Sequence, residues 1–327
     1  MKKIVYSAVP GFPRSSMDEE FLSHRGFSEW WYCTGCLQSP EGSMFAFQFT
    51  LAQVNVYGVK LHILMNSLTD LQTGKHRFRQ VPVLFGRNIV ATADTVALDG
   101  KASMSFQASP AGSKGRMKLH VDGDGYALDA EMEALKPPVW HCEDGVLQMG
   151  IPGDPKERTY YSSYTNLVTK ARLVLEGREY GLEGKSWFDR QGGTYTVTDP
   201  RTGWEWFSLR FFDDHEVMLF AFPQDGHYDG TRIEKDGSFR RLNRYKLVAT
   251  GVTETRGYKF SKGWTLEMDG EEYVITPKTD GMFNAFFFEQ LAEVKDKAGR
   301  LLGYSFVELL PGVRNARQHN LDAFKRH

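Results

Sequence analysis

Alternation of apolar and polar positions with a period of two runs through most of the chain. In Met44-Phe45-Ala46-Phe47-Gln48-Phe49-Thr50-Leu51 the residues Phe45, Phe47, Phe49 and Leu51 fall on one face of a strand. Met44, Ala46, Gln48 and Thr50 fall on the other. Trp204 to Phe211, Lys118 to Val121 and Arg172 to Leu175 alternate in the same way. Turn signals separate such runs: Pro40-Glu41-Gly42, Glu176-Gly177, Asp213-Asp214, Lys235-Asp236-Gly237, Asp269-Gly270 and Ala298-Gly299. Strand, tight turn and strand, repeated at roughly 8–15 residues, predicts an antiparallel all-β protein. Helical periodicity is confined to Ser16 to Leu22 and Asn315 to Lys325, so helices are expected to be few and short.

The pattern divides once. The first set of strands closes with Tyr195-Thr196-Val197-Thr198, and Asp199-Pro200-Arg201-Thr202-Gly203 is a turn-rich joint before Trp204 opens a second set. The expected units are residues 1–198 and 199–327. Each is long enough for a barrel or half-barrel of about 8 strands, an enclosure that can hold one small ligand.

Composition adds one outlier. The chain of 327 residues is 13% aromatic, with 23 Phe, 14 Tyr and 7 Trp. Its net charge of −1 provides no polycationic surface, so nucleic acid is not an expected partner. Apolar stretches such as Ala285 to Phe288 fall far short of the ~20 residues of a spanning helix. After Met1-Lys2-Lys3 the segment Ile4 to Pro13 is broken by Ser7, Pro10, Gly11 and Pro13, unlike a secretory leader. A soluble cytoplasmic protein without stable membrane insertion is the expectation.

Several kinds of chemistry lack their signature. The chain contains no G-x-x-x-x-G-K-[ST], no G-x-G-x-x-G and no G-x-S-x-G. None of its nine histidines forms a ligand pair such as H-x-H, so neither a metal nor another cofactor is expected. Cys33-x-x-Cys36 has no second half of a zinc site, and on a strand its odd spacing puts the two sulfurs on opposite faces.

The candidate chemistry lies in carboxylates embedded among aromatics. Glu29 shares a strand face with Trp31 and Cys33 and sits beside Trp30. Burial there would raise its pKa and leave a neutral acid able to donate a proton or a hydrogen bond; alternatively it pairs with an arginine such as Arg190 or Arg210 and braces the fold. Asp189 follows Trp187 on one face, with Arg190 adjacent in sequence, which favours an ionised carboxylate over a proton donor. Glu289 follows Phe288, and Glu308 follows Tyr304 and Phe306. Trp204, Trp206 and Ser208 share a face; indoles there offer flat apolar walls that also steady developing positive charge. Tyr161, Gln48 and Asn66 are candidate hydrogen-bond partners for a substrate oxygen.

Three groups of motifs together resemble one family. Glu29-Trp30-Trp31-Tyr32-Cys33-Thr34-Gly35 followed by Phe45-Ala46-Phe47-Gln48-Phe49-Thr50-Leu51 resembles the opening of AttH-like proteins, which include the carotenoid 1,2-hydratases (hydroxyneurosporene synthases). Gly184 to Arg190 with Gly203 to Leu209, and then Gly303 to Leu309, resemble its middle and late segments. The chain departs from the family pattern at Arg190-Gln191-Gly192-Gly193 and at Phe288, where a tryptophan is usual. The resemblance implies two lipocalin-like antiparallel β-barrel or half-barrel domains around an aromatic-lined cavity. It also implies non-redox, cofactor-independent chemistry on a hydrophobic polyene, polyketide or isoprenoid. A cyclase of the pericyclase (Diels-Alderase) type is the leading expectation. An olefin hydratase and a non-catalytic carrier are the alternatives. The residues expected to do the chemistry are Glu29, Asp189 and Tyr161. Those expected to hold substrate are Trp31, Gln48, Asn66, Trp187, Trp204, Trp206, Ser208, Phe288, Glu289, Tyr304 and Glu308.

Overall fold

The computed structural model describes residues 6–7, 17, 19–56, 59–84, 88–109, 115–142, 144–149, 153–195, 203–223, 226–279, 282–284 and 287–311. Nearly all of them lie in antiparallel strands and their turns, forming two large sheets. Along the first sheet the order is His76–Leu84, Val59–Asp70, Met44–Val56, Ser28–Gln38, Arg178–Gly193, Arg158–Leu175, Tyr126–Ala134, Arg116–Asp122, Ala102–Gln107, Thr95–Leu98 and Ile89–Ala91. The second runs Phe239–Arg241, His227–Ile233, Glu216–Phe222, Trp204–Phe211, Leu301–Leu310, Phe287–Asp296, Glu271–Pro277, Trp264–Met268 and Tyr245–Ala249. Pairing within the two sheets changes over between Gly193 and Trp204.

Each sheet curls around its own apolar core. The alternation at 44–51 sends Phe45, Phe47, Phe49 and Leu51 into the first core, with Met104, Leu119 and Leu128 from the far side of the same sheet. Phe207, Leu209 and Phe211 enter the second core with Trp264, Leu266 and Val294. The opposite faces of the central strands meet between the sheets, where Tyr32, Ala46, Tyr161 and Trp187 pack with Trp206, Phe220 and Phe306. A strand buried on both faces loses its alternation of burial. Arg178–Gly193 shows the change along its length: of its first eight residues only Leu182 is buried, and every residue from Ser186 to Gly193 is buried.

Close approach at the central strands demands glycine. A Cβ on Gly192 would meet the Glu29 Cβ at 2.2 Å and its Cα at 2.9 Å, atoms of the paired strand that cannot move independently. Gly192→Ala is therefore expected to lower stability by about 1–3 kcal/mol, the usual cost of overpacking, read from the urea midpoint.

Of the expected helix over Ser16 to Leu22, residues 16 and 18 lie outside the described residues, and the described part forms one 3₁₀ turn, Glu19–Phe21. Phe21 is fully buried against Phe106 and Phe188, and the chain pairs again at Ser23–His24, which ends the turn on its C-terminal side. The segment Asn315 to Lys325 lies outside the described residues. Among the described residues no helix is long and apolar enough to cross a membrane.

Candidate active site between the two sheets

Register brings the site together. Tyr32 pairs with Asp189, which pairs on its other side with Ser163, so all three side chains share the face turned toward the second sheet. Thr34 with Trp187 and Trp30 with Gln191 fall on the same face. On the second sheet Trp206 pairs with Glu308, which pairs with Glu289. The indole of Trp206 stands edge-on to both Tyr32 (5.5 Å between centroids) and Trp187 (6.3 Å). Three carboxylic acids, Asp189, Glu289 and Glu308, thus meet in an aromatic setting. No lysine or arginine forms an ion pair with any of them among the described residues.

Glu289 and Glu308 behave as a pair. Burial, the adjacent Glu308 carboxyl and the hydrogen bond between the two acids push Glu289 well above the ordinary carboxylate range. Glu308 is raised by burial to about 7, with opposing stabilisation from the Trp204 Nε1–H (2.8 Å) and from Glu289. A fully buried carboxyl in contact with a half-buried one resists ionisation of both, so one proton is retained between them. The directions assign it: Glu289 keeps the proton and donates to Glu308. Tyr32 donates its hydroxyl to Glu289 Oε1 at 3.0 Å and Asn284 donates Nδ2–H to Oε2 at 2.7 Å. The Asn284 Oδ1 atom contacts His76 Nε2 at 2.7 Å, fixing the amide orientation.

Asp189 is the third acid. Burial raises it to about 7 against hydrogen bonds from Ser163, Trp187 and Tyr161. Trp187 Nε1–H reaches it at 2.5 Å, and the Ser163 hydroxyl makes a shorter contact. His141 Nε2 contacts Ser163 Oγ at 2.8 Å; burial lowers its pKa to about 3, so the imidazole is neutral. Serine stands between histidine and aspartate, so this is not a nucleophile–base–acid relay. Trp206 Nε1–H donates to the Tyr161 hydroxyl at 3.0 Å, joining the Asp189 group to the face that carries Glu308.

Glu29 is not the neutral acid that its aromatic neighbours suggest. Arg190 Nη2 lies 2.6 Å and His24 Nδ1 2.9 Å from Glu29 Oε2. Oε1 accepts from Ser23 Oγ (2.9 Å), His24 N (2.7 Å) and Gln53 Nε2 (3.1 Å). Against the burial penalty, Arg190 and His24 hold the carboxyl below its ordinary pKa. The bracing alternative describes it, with Arg190 as the partner. Arg190 alternates with Asp189 along its strand, so the guanidinium serves Glu29 on one face and leaves Asp189 without a counter-ion on the other. That parity also corrects the expectation of an ionised Asp189.

Trp31 shares the Glu29 face. It lies in the first core, its Nε1–H bonded to Phe21 O at 3.1 Å and its ring beneath the Arg190 guanidinium at 4.1 Å. Asn66 pairs with Phe49, and its Oδ1 accepts from Tyr126 at 2.8 Å, inside the first curl. Gln48 pairs with Ser67 on the opposite face and donates to Thr50. Phe288 belongs to the second core, because one residue of parity separates it from Glu289; Phe287 packs toward Trp204 and Trp30 instead. Trp31, Asn66 and Phe288 are thereby corrected as lining for the acid cluster. Ser208 is fully buried two residues beyond Trp206, and the half-buried Tyr304 pairs with Arg210, two residues further along the same strand.

Asp189, Tyr161, Trp187, Trp204, Trp206, Glu289 and Glu308 are the expected residues that come together. Sequence reasoning missed Tyr32, Ser163, Asn284 and His141. Tyr32 was discoverable, since strand parity puts it opposite the Glu29 face within the same motif. The others carry no local signal; only long-range register brings them in. Among the described residues no group of three or more His, Cys, Asp or Glu is disposed to hold a metal ion.

Two curled antiparallel sheets with buried acids between them define a lipocalin-like protein of the AttH architecture. Residues 12–312 match the AttH-like family model, and the chain belongs to the AttH-like family. The crystal structure of an AttH protein from Nitrosomonas europaea superposes with a TM-score of 0.80 at 21% identity, covering 94% of this chain and 100% of that one. Kievitone hydratase from Nectria haematococca superposes with a TM-score of 0.71 at 14% identity, covering 93% of each chain. At these identities the likeness is one of fold. A comparison with curated protein sequences gives no match.

Proposed function

We propose that the chain is a cofactor-independent enzyme of the hydratase/cyclase type that moves a proton onto and off an unsaturated, largely apolar substrate. One observation carries this reading: the buried Glu289 and the half-buried Glu308 form a hydrogen-bonded carboxyl pair with no counter-ion among the described residues, one member held protonated and the other raised to about 7. A carrier of apolar ligands has no use for such a pair, whereas an acid and a base poised near neutrality are what proton-transfer catalysis requires.

Hydration is the reaction that uses both members. Glu289 gives its proton to one alkene carbon. The faces of Tyr32 and Trp206 steady the cation that forms at the other. Water adds to that carbon and passes a proton to Glu308, and the hydrogen bond between the acids returns it to Glu289. A neighbouring alkene can replace water as the nucleophile, in which case a ring closes and Glu308 takes the proton lost from carbon. Kievitone hydratase, a fold relative, carries a hydratase name, which is consistent with the first course. A purely pericyclic closure would leave the pair without a proton to move, although Tyr161 beside Asp189 supplies a hydrogen bond for a substrate carbonyl.

Solvent isotope separates these courses. Turnover of acyclic isoprenoid and polyene alkenes in D₂O is expected to give product carrying one carbon-bound deuterium, counted by mass spectrometry. Product without deuterium would favour the pericyclic course and remove Glu289 as the acid.

A further inference from the structure

A second feature lies on the same inter-sheet face. Arg210 follows Trp206 by four residues on its strand, about 13 Å along at the usual rise, and pairs with Tyr304 as Trp206 pairs with Glu308. It lines a cavity of about 260 Å³ with Cys36, Met44, Lys185, Phe211 and Tyr304 among its neighbours. Arg210 Nη1–H donates to Lys185 O at 3.2 Å. Its Nε and Nη2 are buried and have no hydrogen-bond partner among the described residues. Those two nitrogens form one of the two guanidinium edges whose N–H bonds run parallel, a fork that grips both oxygens of a planar oxyanion.

Each of the three carboxylates lining the cavity already has a lysine partner. Glu216 is held by Lys136 at 2.8 Å and by Thr165 and Asn166. Asp214 is held by Lys185 at 3.0 Å and Lys235 at 3.5 Å, and Glu183 by Lys170 at 3.5 Å. Arg210 forms no ion pair among the described residues. A buried guanidinium with two idle donors is costly unless something fills them, and Leu37, Met44, Phe211, Phe212 and Tyr304 give the same lining an apolar side.

We propose that this cavity is a binding site for an apolar molecule bearing one carboxylate, which the Arg210 Nε/Nη2 edge grips in bidentate fashion. Binding there does not require proton transfer at Glu289. The test is isothermal titration of the full chain with octanoate, methyl octanoate and inorganic phosphate, repeated on Arg210→Gln and Arg210→Met. Octanoate is expected to bind at least tenfold more tightly than its ester, and Arg210→Gln to abolish that difference. Equal affinity for acid and ester, unchanged octanoate binding in Arg210→Gln, or binding of phosphate without octanoate would each overturn the proposal. Arg210→Met is expected to melt at a higher temperature than the parent without ligand, since it removes an unfilled buried charge; a lower melting temperature would make Arg210 a structural residue and overturn the proposal too.

Discussion

Glu289→Gln is expected to reduce kcat/KM by about 10²–10⁴-fold, the range for loss of a positioned proton donor, while the protein remains folded. The amide preserves shape and can still meet Tyr32 and Asn284, the two donors on Glu289, but it has no proton to give. Glu308→Gln should lower the rate as well, and it should act differently on the pH profile. Glu308 titrates at about 7, so the rate of the parent should rise through that pH as the base ionises. It should fall again only at higher pH, where Glu289 at last loses its proton. Asp189 also titrates at about 7, so Asp189→Asn is the control: if the rising limb belongs to Glu308, it survives in Asp189→Asn and disappears in Glu308→Gln. A Glu289→Gln enzyme with parental kcat/KM would remove the acid from the reaction.

The largest loss of stability is expected at Glu29, outside the acid cluster. Replacing it with Gln leaves the Arg190 guanidinium buried without a counter-charge, and breaking one side of such a pair costs about 3–5 kcal/mol. The double variant Glu29→Gln/Arg190→Met should recover part of that loss, because neither charge then remains unpaired. The pH dependence has a defined sign. Glu29 is held below its ordinary pKa, so its contribution is present above about pH 4.5 and is lost as pH falls through the lowered folded value. Asp189 and Glu308 are raised, so the folded state holds their protons longer; their contribution is greatest in acid and is lost as pH rises from about 4 to 7. Urea unfolding of the parent and the variants between pH 4 and pH 8 checks both slopes. The folded fraction of Glu29→Gln should keep its kcat, since Glu29 contacts Ser23, His24, Gln53 and Arg190 rather than the acid cluster.

Period-two patterning makes the all-β class legible, because each strand needs an apolar face for its own curl. Phe45, Phe47 and Phe49 announce the first core with no tertiary information. The same rule finds Asp189 beside Trp187, and Trp206 beside Trp204. It falls short at protonation, which depends on what each face meets. Glu29 and Asp189 both sit among tryptophans, yet the paired strands deliver Arg190 to one and withhold it from the other. Glu289 and Glu308 become a pair only through the register of Phe287–Asp296 on Leu301–Leu310. Asn284 joins them through the short pairing of Phe283–Asn284 with the same strand. Phe288 illustrates the cost of a single step in parity: the residue next to Glu289 belongs to another core.

Proton transfer at this site depends on Glu289 being a neutral carboxylic acid at physiological pH. Infrared difference spectroscopy of the parent against Glu289→Gln reads that state directly. At pH 8 the parent should show a protonated carboxyl C=O band that shifts in D₂O and is missing from Glu289→Gln. A parent spectrum at pH 8 with only carboxylate bands, identical in the protonated-carboxyl region to that of the variant, would contradict it.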